Sequence, residues 1–187
     1  MTSLNPSNPI QLFFSLYPEF TYDPSGKTMA QFWELCNLYG WDRNSDERAE
    51  ALAKMRDAIA QQFNAFYGTD ADSLDGWYNL FQALQVQIPD TVKGCKDLIR
   101  TIHVNICDLV DYSLGEKNVP PELHVSQEAL AAYSRREGKI YPRENAYAEG
   151  LLRFLLREIT GTYQGRRGKD GQRRGGRRGR LNRRGRI

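Results

Sequence analysis

The chain has 187 residues, a net charge of +3, and 40% hydrophobic and 11% aromatic residues, enough for one domain that buries roughly two-thirds of its unfolded surface. Cys36, Cys95 and Cys107 are too few, and odd in number, for a disulfide scaffold; each lies in a segment that reads as helix, where a free thiol acts as a small hydrophobe in a reducing compartment. No stretch approaches the ~20 apolar residues of a membrane span, and the apolar run Leu12–Tyr17 is interrupted by Ser15 with no basic segment before it, which excludes a signal peptide. A soluble intracellular protein is expected, without membrane, cofactor or metal.

Seven helices are expected in chain order. Pro9 opens a short one through Leu16, stopped by Tyr17-Pro18. After the Pro24-Ser25-Gly26 loop, a second spans Thr28–Tyr39 and ends at Gly40. The third runs from about Ser45 to Tyr67, with Asn44 and Glu47 at its start, Gly68 at its end, and Leu52, Met55, Ile59, Phe63 and Phe66 on one face. Ser73 caps a fourth through about Leu84. Pro89-Asp90 opens a fifth to about Tyr112, whose apolar spacing Val92, Cys95, Ile99, Ile102, Ile106, Leu109 is the strongest periodic signal in the chain. Gly115–Val125 is a loop, and Ser126–Glu137 a sixth helix ended by Gly138. A seventh spans Arg143–Ile159, where Leu151, Leu152, Phe154, Leu155 and Leu156 make it apolar nearly all round and therefore buried. Leu123–Val125 and Lys139–Tyr141 are expected to pair only briefly as strands.

Composition changes at Gly165, after which none of the 21 aromatic residues occurs. Gly165–Ile187 holds eleven basic residues and one acid, a local charge of +10 that leaves the other 164 residues at −7. Seven of the 23 are glycine and only Leu181 and Ile187 are apolar, too little to offset chain entropy, so the segment is expected to be disordered. The candidate nucleic-acid-binding residues are Arg166, Arg167, Arg173, Arg174, Arg177, Arg178, Arg180, Arg183, Arg184 and Arg186. Guanidinium groups fork onto phosphate oxygens and stack on bases, and interspersed glycine lets successive arginines each find a phosphate, giving salt-sensitive, weakly selective binding to RNA or another polyanion. The segment resembles RGG/RG-rich RNA-binding tails, although Gly-Gly occurs once and no Phe or Tyr is interleaved. That resemblance implies arginine methylation; the paired arginines also read as a nuclear-import signal.

The body offers no comparable chemistry. His103 and Cys107 stand four apart on the expected fifth helix, with Asp108 and Asp111 close by and His124 in the loop, but ligand spacing is otherwise missing and a core histidine is the simpler reading. A Cys–His pair from Cys36 or Cys107 with His103 is what chance places in a core. Asp70, Asp72 and Asp75 lack the spacing of a calcium loop and read as a solvated turn that caps the fourth helix. Aromatic residues crowd the first half, among them Tyr17, Phe32, Trp33, Tyr39, Trp41 and Trp77. Most should be core; an exposed set would suit a peptide helix or a strand of RNA.

Phe13-Phe14-Ser15-x-Tyr17-Pro18-x-Phe20-x-Tyr22, Phe63-Asn64-x-x-Tyr67-Gly68-Thr69-Asp70, His103-Val104-Asn105-x-x-Asp108-Leu109-Val110-Asp111, Gly138-Lys139-Ile140-Tyr141-Pro142 and Ala146-Tyr147-x-x-Gly150-Leu151-Leu152 together resemble a family of small fungal proteins. The resemblance covers roughly residues 11–158 and implies a fungal, intracellular origin and a domain ending near residue 160. It carries over no activity and no functional residue, and the basic tail lies outside it.

The expectation is therefore an all-α, single compact bundle of about seven helices over residues 1–164, followed by a disordered Arg/Gly-rich tail over residues 165–187. Its expected function is that of a non-enzymatic adaptor, the helical domain meeting an unknown protein partner or a defined nucleic-acid feature while the tail binds RNA or DNA phosphates. The nucleus is favoured over the cytoplasm. The alternatives are a protein–protein module whose tail serves import or autoinhibition, and an unrecognised enzyme centred on His103.

Overall fold

Helix caps divide the chain much as its punctuation predicts. The computed structural model describes residues 8–115, 119–141 and 150–160, with side chains in the last stretch as far as Leu156. Helix α1 (Pro9–Ser15) starts at Asn8, whose side chain accepts from the Gln11 N–H at 2.8 Å. α2 (Thr28–Leu38) ends in a Schellman turn, with Trp41 N–H donating to Cys36 O and Gly40 N–H to Asn37 O. α3 (Asp46–Tyr67) is capped by Ser45, one residue after the Asn44 of the sequence reading. Ser73 caps α4 (Leu74–Leu84) as expected.

The all-α bundle stands, with one correction. The continuous fifth helix is two helices, α5 (Val92–Ile99) and α6 (Ile106–Leu114), which makes eight among the described residues. α5 closes on tight turns from Thr101 N–H to Leu98 O and Ile102 N–H to Ile99 O, and β1 (His103–Val104) follows. Asn105 then takes the Cys107 N–H on its own side-chain oxygen at 2.9 Å and starts α6. A side chain that competes for backbone donors ends one helix and begins the next. The apolar spacing runs through the break because Ile99, Ile102 and Ile106 are buried on both sides of it.

The strand expectation also changes. β2 (Leu123–His124) pairs antiparallel with β1, His103 opposite His124 and Val104 opposite Leu123. Lys139–Tyr141 takes no part, since the Lys139 N–H is bonded to Ser134 O at 2.8 Å and its carbonyl to Asn105 Nδ2 at 3.1 Å. α7 (Gln127–Arg136) starts at Ser126 and closes at Gly138 as expected. Of the expected seventh helix, Pro142 and residues 143–149 lie outside the described residues; α8 (Leu152–Thr160) is seen, and Leu151, Leu152, Phe154, Leu155 and Leu156 are all buried.

Helix α3 is the axis of the bundle, meeting α1, α4, α6 and α8. Met55, Ile59 and Phe63 are fully buried on it, whereas Leu52 and Phe66 of the expected stripe are only partly covered. α5 lies against α4 and α8, and α7 against α8 and the short ladder. Trp77 is fully enclosed and donates its indole N–H to Ala71 O at 3.0 Å. No helix among the described residues is long and apolar enough to cross a membrane.

Two turn residues yield contrasting predictions. Gly150 has φ +52°, and a Cβ there would run into the backbone of Thr69. Gly150→Ala is expected to cost on the order of 2–4 kcal/mol, since strain and overlap add. Gln85 occupies the left-handed region at φ 54° at the end of α4, so Gln85→Gly should gain about 1 kcal/mol. Urea unfolding of each variant reads both.

Candidate nucleic-acid interface

A buried polar junction sets one end of α7 against α6. Lys139 donates from Nζ to Asp108 Oδ1 at 2.5 Å and to the Tyr133 hydroxyl at 3.1 Å, and the two charged side chains are only 6% and 17% exposed. Burial works against the ammonium, but the bonds to Asp108 and Tyr133 outweigh it and raise its pKa. Asn105 Nδ2 spans the same place, donating to Ser134 Oγ at 2.9 Å and to the Lys139 carbonyl. α7 therefore ends in a fixed Schellman turn at Gly138, φ +64°. That glycine lies against the indole edge of Trp33 on α2, where an added Cβ would fall 2.8 Å from Nε1. The chain beyond it is fastened to α3: Arg56 donates from Nη2 to Ile140 O at 3.0 Å, and Tyr141 donates from its hydroxyl to Arg56 O at 2.9 Å.

These fastenings frame a groove of about 560 Å³ lined by Trp33, Arg43, Arg48, Leu52, Arg56, Arg135, Arg136, Glu137 and Ile140, among others. Five of its residues are arginine and one is a carboxylate. Arg48 and Arg56 share a face of α3 two helical turns apart, Arg43 precedes that helix, and Arg135 and Arg136 close α7. Glu137 is taken by Arg136 at 2.8 Å. Among the described residues no carboxylate lies within ion-pair distance of Arg43, Arg48, Arg56 or Arg135. The Arg48 guanidinium lies 5.0 Å over the Trp33 ring. Burial lowers the pKa of Arg56, and its Nε has no hydrogen-bond partner; arginine nonetheless keeps its proton. Such a groove presents forked donors and a planar cation to an anion.

A second hollow, of about 450 Å³, is lined in part by Asp108, Asp111, Tyr112 and Tyr133; both aspartates are tied into the fold by one oxygen, and Asp111 Oδ2 is buried without a partner. Asp108 holds Lys139. Asp111 accepts from the Thr28 N–H at 3.1 Å, capping α2 from across the fold because Lys27 at the cap position supplies no acceptor.

The tail arginines Arg166 to Arg186, and the boundary at Gly165, lie outside the described residues. His103 and Cys107, expected on one helix, fall on β1 and α6. The Cys107 thiol is fully buried and pushed up by that burial and by the nearby carboxylates. Asp70 caps its own turn by accepting from the Asp72 N–H, and Asp72 pairs with Lys96 at 2.6 Å. Of the aromatic set, Phe32, Phe63, Tyr67 and Trp77 are core. Tyr17, Tyr39 and Trp41 form a partly covered cluster with ring centroids 5.4–5.6 Å apart. Sequence reasoning missed the groove arginines; the visible signal was Arg48, Leu52 and Arg56 at four-residue spacing. No family model, curated protein or solved structure matches the chain.

Breaking the junction from one side should be costly. Lys139→Met is expected to lose about 3–5 kcal/mol in urea unfolding, because it leaves Asp108 buried and unpaired, and adding Asp108→Leu should restore most of that loss. Asp111 gives a pH prediction. Burial raises its carboxyl pKa against the pull of the Thr28 N–H. A group raised in the folded state contributes stability below its unfolded pKa and loses it as pH rises through the folded one. Asp111→Asn keeps an oxygen for Thr28 without the charge, so its Tm should exceed the parent's at neutral pH and match it below about pH 3.

Proposed function

We propose that this chain is a non-enzymatic, nucleic-acid-associated adaptor that holds phosphates at two places, the arginine groove of the helical domain and the Arg/Gly tail. The convergence of five arginines on one groove beside a tryptophan, with a single carboxylate among them, carries the reading. The body is net negative at −7, so this concentration of positive charge is local. Phosphate contacts by several arginines release counterions and bind without reading sequence. Joining a flexible tail to a fixed groove raises the affinity of each through effective concentration. The partly covered Tyr17, Tyr39 and Trp41 cluster, with Leu16 62% and Leu38 53% exposed nearby in the chain, supports a separate protein-facing surface. Paired arginines in the tail read also as an import signal, which would place the adaptor in the nucleus.

Fluorescence anisotropy with a labelled single-stranded RNA and a duplex DNA across a salt series tests this, comparing the full chain with one that ends at Gln164. The full chain is expected to bind with a log–log salt slope of about −4 to −7, and the shortened chain more weakly with a shallower slope from the groove alone. If neither binds at physiological salt, the reading falls and the tail is better taken as an import signal.

A further inference from the structure

We infer that the groove takes an unpaired nucleotide, its base stacked on the Trp33–Arg48 layer and its phosphates held by Arg43, Arg56 and Arg135. This rests on the polyanion reading and adds to it the class of nucleic acid. The Arg48 guanidinium lies 5.0 Å over the Trp33 ring, and Trp33 is set edge-on to Phe32 at 4.8 Å and abutted by Gly138. The indole is therefore held on a fixed base with the guanidinium over its face. Arg43, Arg56 and Arg135 have no ion pair among the described residues, and Arg56 keeps an unpartnered Nε. The space, about 560 Å³, lies within the range of sites for nucleotide-sized ligands.

A duplex offers such a groove its phosphates while its bases stay stacked on one another. A single strand offers phosphates and a free planar face, which guanidinium and aromatic groups both stack upon. An acidic peptide would satisfy the forks and leave the Trp33–Arg48 layer idle. The observations therefore favour the single strand.

Arg48→Lys tests this in the full chain, since it keeps the charge and removes the plane. Titrations use a single-stranded RNA and a duplex of the same length, with thermal unfolding to confirm that the variant is folded. The parent is expected to prefer the single strand about tenfold, in keeping with one stacked base. Arg48→Lys should abolish that preference, lowering single-strand affinity more than duplex affinity. Arg135→Gln should weaken both ligands alike. If the parent shows no preference, or if Arg48→Lys retains it, the inference is overturned while the polyanion reading stands. If neither nucleic acid binds even at low salt, both fail. If polyglutamate displaces the strand equally well from parent and Arg48→Lys, the groove is a peptide site and the inference is again overturned.

Discussion

Asn105 interrupts the longest apolar period in the chain, and the layout of the second half depends on what its side chain does there. Its oxygen takes the Cys107 N–H and starts α6, while its amide reaches Ser134 and the carbonyl of Lys139. Lys139 in turn turns inward to Asp108 and Tyr133. Every group of this junction is buried or nearly so, and a half-satisfied version would be worse than an apolar one. The junction is not the main source of stability. Trp77, Phe32, Phe63, Phe81, Leu35, Ile59, Leu109 and Leu152, among others, are fully buried, and each contributes about 1.5–3 kcal/mol. A buried ion pair returns little beyond its own desolvation. What the junction supplies is arrangement: it fixes where α7 stops, which way Gly138 turns, and so where Arg135 and Arg136 stand relative to Trp33 and α3.

The groove follows from that placement and from ordinary helix geometry. Arg48, Leu52 and Arg56, at four-residue steps along α3, all line the groove, while Met55 and Ile59 are buried. The end of α7 brings two more guanidinium groups to the same edge, and the 138–141 segment is tied to α3 by Arg56 and Tyr141. Like charges at such proximity oppose one another. A fold that holds them there by backbone bonds and by packing against an indole is suited to an anionic partner that relieves the repulsion.

Much of the bundle was legible in the sequence because its boundaries are chemical. Ser73 and Ser126 cap where their hydroxyls predict, Gly138 stops α7, and the all-round apolar stretch of α8 is buried. The break after Ile99 was not legible, since apolar periodicity records burial and burial is continuous from Ile99 through Ile106. The strand pairing was misread for a related reason: β1 was hidden inside an expected helix, which left Lys139–Tyr141 as the apparent partner for Leu123. The groove was illegible for a third reason. Arg43, Arg48 and Arg56 stand some eighty residues from Arg135 and Arg136, and no local pattern joins two sets of surface charges that only the fold brings together. The tail was the reverse case, plain in composition and beyond the described residues.

Among the residues lining the groove there is neither lysine nor histidine. Protonation therefore leaves its charge unchanged across the physiological range, because guanidinium groups do not titrate there. Lysine acetylation, the commonest covalent way to neutralise a basic surface, has no acceptor within it. The chain's control over occupancy at this place is left to competing anions, to the neighbouring Glu137, and to changes in the backbone turn that carries Arg135 and Arg136.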